Sequence, residues 1–272
     1  MRTALILGAS GLVGKAVTNE FKDAFDLFGT YSTSTTHLPK EKQFRLDVHE
    51  VDRLQRMVRS IKPDIVISCL RGDLEQQLSF HKALAAELVN THSSVYFLSS
   101  ANVFDGDYSK HHFEMDGPIA ESEYGQVKIQ CENALKDILD SRAVIIRTPM
   151  IWGVESPRMN QVRDSIEKNQ PVDVYGNLEC NNISDTQLAK QLHYIVENEL
   201  RGIFHLGSVD MMTHADFFAQ IVNALSPERN LLKFNLYNDT ADVYRWGLIS
   251  SRTDIPVSLQ ITNQAIISHL LQ

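Results

Sequence analysis

The feature that most constrains the fold of this chain is a regular alternation of short apolar runs with longer segments of helical periodicity. The apolar runs include Thr3–Leu7, Asp64–Leu70, Val95–Ser99 and Ala143–Arg147. Runs of this length with consecutive apolar residues are typical of strands buried on both faces of a parallel sheet. Helical periodicity is clearest at Glu123–Leu139. Because crossovers between parallel strands share one hand, the pattern predicts an α/β protein with a Rossmann-type doubly wound parallel sheet.

The alternation becomes irregular after residue 150, which suggests a second, smaller structural unit. We expect residues 1–150 to form the sheet domain and residues 151–272 to form a smaller C-terminal lobe. A strand and a helix near residues 183–206 are expected to return to the first domain. Because ligands of doubly wound sheets bind beyond the carboxyl ends of the strands, we expect the C-terminal lobe to bind the substrate.

Composition excludes several classes of function. The formal net charge is −8 and there is no run of Lys and Arg, so binding to nucleic acid or to an anionic membrane is not expected. The cysteines Cys69, Cys131 and Cys180 are scattered, which argues against a disulfide framework or a zinc cluster. No apolar stretch approaches the length of a membrane span, and the N-terminal run is too short for a secretory signal. We therefore expect a soluble cytoplasmic protein without a metal site.

A glycine-rich turn follows the first predicted strand and opens the first predicted helix. Its sequence, GASGLVG, has the spacing GxxGxxG. Gly8 permits a tight turn, Gly11 lets the backbone approach a pyrophosphate, and Gly14 lets the helix pack closely on the strand. The free amides and the positive end of the helix would hold the phosphate charge. We therefore predict that residues 1–150 bind a dinucleotide, and the contacts predicted at this turn are Gly8, Ser10, Gly11, Leu12, Val13 and Gly14.

The segment after the second predicted strand bears on the choice of dinucleotide. NAD sites usually carry an Asp or Glu about 20 residues beyond the glycine motif, where it binds the adenosine ribose. Residues 31–37 contain no carboxylate, whereas Ser32 and the nearby Lys40, Lys42 and Arg45 would tolerate a 2′-phosphate. This favours NADP(H) without excluding NAD(H). Further predicted cofactor contacts are Asp47, Val48, Cys69 and Leu70, with a helix cap as the alternative for Asp47 and a core position as the alternative for Cys69.

A tyrosine and a lysine four residues apart provide the strongest chemical signal. Tyr124 and Lys128 would share one face of the helix Glu123–Leu139, and Tyr124 lies 24 residues after Ser100, which follows a predicted strand. An unperturbed tyrosine has a pKa of about 10, and a cation one turn away would lower it. The three side chains could therefore act in general acid/base catalysis, with Ser100 binding the reacting oxygen. The alternative interpretation of the pair is a solvated surface contact.

The order of these motifs resembles that of the extended short-chain dehydrogenase/reductases. The segments GASGLVG, PDIVIS, SSANVFDG, YGQVK and IIRTPMIWG follow one another over about residues 1–205. Within that superfamily the chain is most similar to the dTDP-4-dehydrorhamnose reductase group of sugar-nucleotide enzymes. The resemblance implies an NAD(P)H-dependent reductase acting on the keto group of a nucleotide-linked sugar, with Ser100, Tyr124 and Lys128 as its catalytic triad. It also implies that Lys128 binds the nicotinamide ribose and that Tyr124 protonates the substrate oxygen.

Departures from the reductase pattern leave other functions open. That group typically has Asp and Tyr where this chain has Ala101 and Asn102. The Ser-Ser-Ala sequence at this strand end is also similar to sugar-nucleotide epimerases, and some relatives of the reductases serve as partners of another enzyme. The alternatives are therefore an epimerase of the same superfamily or a non-catalytic NADP-binding regulatory subunit.

The expected partner is a small-molecule substrate, a nucleotide sugar, and a homodimer is left open. An aromatic ring such as that of Trp152 can stack on a base, and the guanidinium of Arg158 can pair with a diphosphate. A core position for the tryptophan and a solvated position for the arginine are the alternatives. The predicted substrate contacts are Asn102, Trp152, Arg158 and Asn182.

Overall fold

The computed structural model describes residues 1–272 as alternating strands and helices, numbered here in chain order. The strands are β1 (Arg2–Leu7), β2 (Phe25–Tyr31), β3 (Gln43–Arg45), β4 (Ile65–Ser68), β5 (Ser94–Ser100), β6 (Ala143–Thr148), β7 (Met150–Trp152), β8 (Val172–Tyr175), β9 (Leu178–Cys180), β10 (Asn182–Ser184), β11 (Ile203–His205), β12 (Met212–Thr213), β13 (Leu232–Asn235) and β14 (Tyr244–Trp246). The helices are α1 (Leu12–Phe21), α2 (Val51–Ile61), α3 (Leu74–Leu88), α4 (Glu123–Leu139), α5 (Pro157–Glu167), α6 (Asp185–Glu197), α7 (His214–Leu225) and α8 (Asn263–Leu270).

A seven-stranded sheet in the order β11-β6-β5-β4-β1-β2-β3 is the centre of the fold. Strand β1 pairs in parallel with both β2 and β4, and the pairs β2–β3 and β4–β5 are also parallel. The chain winds outward from β1 in both directions, which is the strand order of a doubly wound dinucleotide-binding sheet. The predicted Rossmann-type α/β fold is therefore confirmed.

The central strands are continuous apolar runs because both of their faces are covered. Every residue of β4 and β6 is buried, and so are the last four residues of β1. One large apolar cluster includes Leu5, Leu54, Leu84 and Phe97, each almost fully inaccessible. Burial of both faces explains why these strands lack the alternation expected of a half-exposed sheet.

Side-chain caps determine where several helices begin. Asp73 accepts a hydrogen bond from the Gln76 amide at the start of α3, and Ser122 accepts one from the Gly125 amide at the start of α4. Such caps satisfy amides that have no partner within the helix. Helix α1 differs, because its cap residue is Gly11, which has no side chain to accept these bonds.

The chain divides into two compact units. The first, called the sheet unit, comprises Met1–Gly106, Pro118–Arg147 and Ala189–Phe204. The second unit comprises Asp107–Gly117, Thr148–Leu188 and His205–Gln272, so it includes a short segment that lies within the range expected for the first domain. The binding functions expected of the two domains remain predictions.

The second unit has its own apolar core and three small sheets. The sheets pair β7 with β10, β8 with β13, and β9 with both β12 and β14. Trp152 lies in the core, where its ring packs against Phe217 and Phe218 at centroid distances of 5.0 and 5.2 Å. No helix combines the length and the apolar character that a membrane span requires.

Candidate active site

The glycine-rich turn joins β1 to α1 at the carboxyl end of β1. Gly8 has a φ angle of +80°, a backbone conformation that L side chains rarely adopt. A Cβ atom on Gly14 would lie 2.1 Å from the carbonyl oxygen of Gly8, so only glycine allows the helix to approach the turn this closely. The first-turn amides of α1 receive no bond from a cap side chain. A helix beginning of this kind is suited to binding a phosphate.

The other predicted contacts of the glycine motif lie in the same stretch of chain. They are Ser10, which precedes α1, and Leu12 and Val13, which begin it. Ser10 and Val13 are half-buried, and both Leu12 and Val13 belong to the first turn of α1. The turn is tied to the neighbouring strand, since the Gly8 amide donates to Thr30 Oγ1 at 2.9 Å. The predicted phosphate-binding residues thus lie in the turn after β1 and the first turn of α1, and their contact with a cofactor remains a prediction.

Ser32 and Asp47 lie close together at the ends of β2 and β3. Ser32 Oγ donates a hydrogen bond to Asp47 Oδ2 at 3.4 Å, and Arg45 Nε donates to the Ser32 carbonyl oxygen at 3.4 Å. The basic side chains near this point differ in availability, because Lys42 forms an ion pair with Asp26. Arg45 is therefore the cation placed beside Ser32.

Asp47 also has a local structural function. Its carboxylate accepts a bond from the His49 amide at 3.1 Å and stabilises the turn before α2. The adjacent Val48 packs against the apolar cluster of the sheet unit. The side chain of Val48 therefore contributes to the packing of this cluster.

Cys69 and Leu70 follow β4 and lie against the glycine turn. If Gly8 carried a Cβ atom, that atom would lie 3.3 Å from the Cys69 carbonyl oxygen and 3.4 Å from a methyl group of Leu70. The Cys69 amide donates to the carbonyl oxygen of Leu7, which extends the pairing of β4 with β1. Burial raises the pKa of the Cys69 thiol to about 12, so this cysteine is a neutral thiol and not a nucleophilic thiolate.

The side chains of Ser100 and Tyr124 are in contact, and the contact acts to lower the pKa of the Tyr124 phenol. Ser100 ends β5, and its Oγ also donates to Asn102 Oδ1 at 2.9 Å while accepting from the Asn102 amide at 3.2 Å. The predicted substrate contact Asn102 is thus a direct neighbour of the Ser100 hydroxyl. The structure brings together the two hydroxyl groups that the sequence spacing predicted to meet.

Lys128 lies beneath this pair, one turn along α4. Its side chain is 2% exposed, and Nζ lies 5.7 Å from the centre of the Tyr124 ring and 4.7 Å from that of Phe97. The ammonium donates to the Leu98 carbonyl oxygen at 3.1 Å. The ammonium also interacts electrostatically with Cys69, which lies against the glycine turn. The solvated surface pair is therefore excluded as an explanation of the Tyr-Lys spacing.

Burial controls the acidity of both groups. It raises the pKa of Tyr124, an effect that the charge of Arg71 and the contact with Ser100 oppose. The expectation that Lys128 lowers the tyrosine pKa is therefore wrong for the protein alone, because the desolvation of the phenolate is the larger effect. Burial also lowers the pKa of Lys128 to about 8. Tyr124 is consequently a protonated phenol at neutral pH and is able to donate a proton.

A close approach of two backbones determines where α4 begins relative to β5. A Cβ atom on Gly125 would lie 2.2 Å from the Asn102 carbonyl oxygen. Asp105, which is 6% exposed, accepts hydrogen bonds from the amides of Glu121 and Ser122 at 2.7 and 3.1 Å. Gly125 and Asp105 thus bring the first turn of α4 against the residues that follow Ser100. Sequence reasoning missed both, although the glycine within Tyr-Gly-Gln-Val-Lys was a visible signal of close packing.

A buried ion pair lies one turn below Lys128 on the same helix. Glu132 accepts bonds from Arg147 Nε at 3.1 Å and from its Nη2 at 2.7 Å, and Ser99 Oγ donates to the same carboxylate at 2.5 Å. The pair joins β5, α4 and β6. The sequence indicated the position of Glu132 only through its spacing of four residues from Lys128, which places both side chains on one face of α4.

Two of the predicted substrate residues are core residues of the second unit. Trp152 and Asn182 are both 0% exposed, and the indole Nε1 donates to Asn182 Oδ1 at 2.8 Å. Asn182 Nδ2 in turn donates to Asn263 Oδ1 at 2.9 Å. The structure contradicts their assignment to the substrate, because their polar atoms are used within the core. Arg158 is half-buried, and its guanidinium lies 5.3 Å from the centre of the Trp152 ring.

No group of three or more His, Cys, Asp and Glu side chains is arranged to hold a metal ion in residues 1–272. Glu114 lies in the segment Asp107–Gly117 of the second unit, and its carboxylate is used in hydrogen bonds within that unit. Its carboxylate accepts bonds from the amide and the hydroxyl of Ser251, each at 2.9 Å, and from the Ser250 hydroxyl. This carboxylate therefore stabilises the fold of the second unit.

Comparison with proteins of known sequence identifies relatives of two kinds. The chain is 24% identical over 262 residues to methionine adenosyltransferase 2 subunit beta from Danio rerio, an alignment that covers 85% of this chain and 76% of the relative. It is 21% identical over 260 residues to the probable low-salt glycan biosynthesis reductase Agl14 from Haloferax volcanii, covering 87% of this chain and 84% of the relative.

Solved structures confirm the similarity in fold. A dTDP-4-dehydrorhamnose reductase from Yersinia enterocolitica has a TM-score of 0.81 at 17% identity, with 99% of both chains covered. One from Clostridium acetobutylicum has a TM-score of 0.79 at 18% identity, with 98% of both chains covered. One from Bacillus anthracis, solved in complex with NADP, has a TM-score of 0.77 at 15% identity, covering 100% of this chain and 99% of that one.

The resemblance inferred from the sequence motifs is thereby confirmed. A family model described as the RmlD substrate binding domain matches residues 73–237, which is more than half of the chain. The matched range contains Ser100, Tyr124 and Lys128. This chain belongs to the RmlD substrate binding domain family.

Proposed function

We propose that the protein is an NAD(P)H-dependent reductase of the extended short-chain type that reduces the keto group of a nucleotide-linked sugar. The observation that carries this proposal is the contact between the Ser100 and Tyr124 side chains, with the buried ammonium of Lys128 beside the Tyr124 ring. These groups lie in the same unit as the glycine turn. A protonated phenol next to a second hydroxyl is suited to binding a carbonyl oxygen and giving it a proton.

The proposed reaction balances with one cofactor and one proton. A reduced dinucleotide bound at the glycine turn would supply a hydride, with its two electrons, to the carbonyl carbon. The π electrons of the carbonyl move to oxygen, which takes the proton from the Tyr124 hydroxyl, and the product is an alcohol. Ser100 holds the reacting oxygen through a hydrogen bond, and Lys128 stabilises the phenolate left on Tyr124, which regains its proton from solvent.

We propose NADP(H) as the preferred cofactor, with NAD(H) as the second candidate. The position after β2 that usually carries an acid in NAD sites is Ser32, and Arg45 lies beside it. A similar fold from Bacillus anthracis was solved with NADP, and one from Bordetella bronchiseptica, WbmH, with NAD⁺. The glycine turn, Asp47, Val48, Cys69 and Leu70 are proposed contacts, the last three through backbone or apolar surface.

The substrate class is supported by the relatives and by the site residue Asn102. Structures of similar fold are named as dTDP-4-dehydrorhamnose reductases, and another, MoeE5, was solved with UDP-glucose and NAD. Asn102 is bonded to Ser100 and so would lie beside a bound sugar. We propose that Asn102 and Arg158 contact the substrate, that the second unit provides the substrate lobe, and that the protein is a cytoplasmic homodimer.

A thermal-shift screen tests cofactor and substrate class together. Ligands that bind only the folded protein raise the midpoint of unfolding by mass action. We expect the largest rise with NADPH, a smaller one with NADH, and a further rise when the matching dTDP-, UDP- or GDP-linked sugar is added. Consumption of NADPH with a keto sugar nucleotide then distinguishes a reductase from an epimerase, since an epimerase interconverts sugars without net use of added cofactor.

A second candidate function is that of a non-catalytic, NADP-binding subunit of another enzyme. It is favoured by the relatives from Danio rerio and Xenopus tropicalis, which are named methionine adenosyltransferase 2 subunit beta and are 24% and 25% identical to this chain. NADPH binding without turnover on any sugar nucleotide, together with co-purification of a second enzyme whose kinetics change on binding, would favour this function over the reductase.

A further inference from the structure

Gln77 is a fully buried polar residue next to Lys128. It lies in the first turn of α3 and is 0% exposed. Its Oε1 atom accepts a hydrogen bond from Lys128 Nζ at 3.5 Å, and its Nε2 donates to the carbonyl oxygen of Gly72. A carbonyl oxygen can only accept and an ammonium can only donate, so both contacts require the same orientation of the amide. The Gln77 side chain therefore joins the lysine to the loop that follows β4.

The backbone of Gln77 is held by a second set of bonds. His81 lies one turn later on α3, with Nδ1 at 2.7 Å from the Gln77 carbonyl oxygen and Nε2 at 2.8 Å from Ser68 Oγ. Because the carbonyl oxygen requires a donor, Nδ1 carries the proton and Nε2 accepts from the Ser68 hydroxyl. Burial lowers the pKa of His81 to about 4, so the ring is neutral at physiological pH. The position of Gln77 is thus fixed relative to the end of β4.

The hydrogen-bond acceptors of Lys128 are neutral. They are the Leu98 carbonyl oxygen and the Gln77 amide oxygen, and the aromatic faces of Phe97 and Tyr124 complete the surroundings. Glu132 attracts the charge from one turn away, but its own carboxylate is bonded to Arg147. The titratable and charged groups that act on Lys128 or respond to it are Cys69, Arg71, His81, Cys131 and Glu132.

We propose that Gln77 is a positioning residue for Lys128. Its side-chain amide holds the Lys128 ammonium beside the Tyr124 ring, and because the amide is neutral, it gives the ammonium no direct counter-charge. A carboxylate at this position would hold the ammonium equally well but would stabilise its charge. An apolar side chain would remove one of its two acceptors. The neutral amide therefore fixes the lysine without adding an opposite charge that would counter the effect of burial. The importance of this for turnover rests on the proposed reductase function.

Titration of Lys128 by NMR tests the proposal without knowledge of the substrate. Lysine side chains labelled with carbon-13 at Cε report their protonation, and the Lys128 signal is identified by its loss in Lys128→Arg. We expect the midpoint in the unaltered protein near pH 8. Gln77→Glu should raise the midpoint by about one pH unit or more, because an opposite charge within bonding distance favours the ammonium. Gln77→Leu should lower it, because an acceptor for the charged form is lost.

Gln76→Glu is the matched control, since it adds the same charge one residue earlier on α3. The Gln76 side chain lies at the exposed contact with Ser79, away from the buried amide of Gln77. We expect the control to leave the Lys128 midpoint where it is. An unchanged midpoint in either Gln77 variant, or an equal shift in the control, overturns the proposal. If Gln77→Glu does not fold, Gln77→Leu alone decides it.

Failure of this inference and failure of the proposed function give different results. If Lys128 titrates as expected but no sugar nucleotide is reduced, Gln77 positions the lysine of a site that does not turn over. If the reductase is active, the alkaline limit of its pH profile should move upward in Gln77→Glu and downward in Gln77→Leu. If the reductase is active but neither its pH profile nor the Lys128 midpoint changes in the two Gln77 variants, the proposed function stands and the proposed role of Gln77 is wrong.

Discussion

Arg147 and Glu132 form a two-point ion pair in which both side chains are 1% exposed. The guanidinium donates to the two carboxylate oxygens at 3.1 and 2.7 Å, and the carboxylate also accepts from Ser99 at 2.5 Å. Ser99 directly precedes Ser100 on β5, and Glu132 lies one turn beyond Lys128 on α4. The pair therefore connects the two elements that carry the proposed catalytic hydroxyls and ammonium.

Removal of one partner of this ion pair should destabilise the protein strongly. We expect Arg147→Met to lower the free energy of unfolding by about 3–5 kcal/mol, because an uncompensated carboxylate remains buried. The exposed pair Arg53–Glu50 is the control, and Arg53→Met should cost far less because solvent screens that contact. Urea unfolding monitored by circular dichroism measures both. If both variants lost the same free energy of unfolding, the buried pair would contribute no more to stability than the exposed one.

Tyr124→Phe should abolish turnover and preserve cofactor binding. The substitution removes the proposed proton donor and leaves the aromatic ring beside Lys128. NADPH binding, followed by calorimetry, should change little because the glycine turn is untouched. The matched control is Tyr194→Phe, on α6, which has no assigned function. Turnover in Tyr124→Phe equal to that of the unaltered protein would remove the proposed role of the phenol.

Gly125→Ala should impair the site although alanine is the better helix former. In an exposed helix this substitution would stabilise by about 1 kcal/mol. Here the new Cβ would lie 2.2 Å from the Asn102 carbonyl oxygen, a backbone atom that cannot move without shifting the end of β5 or the start of α4. We expect lower thermal stability and a reduced turnover number.

Gly176→Ala is the matched control for Gly125→Ala, because a Cβ on Gly176 would meet no atom within 4 Å. It should leave both stability and turnover close to those of the unaltered protein. A stable, fully active Gly125→Ala variant would contradict the inference that this close approach positions Tyr124 against Ser100.

The parts of the fold and site that depend on local pattern were predictable from the sequence. The helix Glu123–Leu139 has the bounds expected from its periodicity, and the strand expected at Ala143–Arg147 is one residue longer in the structure. The meeting of Ser100 with Tyr124 was also predictable, because the carboxyl end of a parallel strand and the next helix lie at one edge of the sheet.

The parts that depend on burial of polar groups were not predictable. Trp152 looked like a ligand contact because aromatic rings occur at such sites, but its indole N–H finds a buried acceptor in Asn182, 30 residues away. The pKa of Tyr124 was misjudged for the same reason, since the desolvation of the phenolate depends on packing that no spacing reveals. Both errors concern how deeply a polar atom is buried and which distant residue satisfies it.

Stability should fall as the pH decreases from about 6.5 to 4, because of two buried histidines. Burial lowers the pKa of His81 to about 4 and that of His214 to about 4. In this interval the unfolded chain binds protons at both residues and the folded protein does not, so acid favours unfolding. Urea unfolding at a series of pH values measures the effect, and His81→Gln should make the dependence shallower by removing one titrating group. If His81→Gln and the unaltered protein lose stability in parallel over this interval, His81 is not buried in its neutral form.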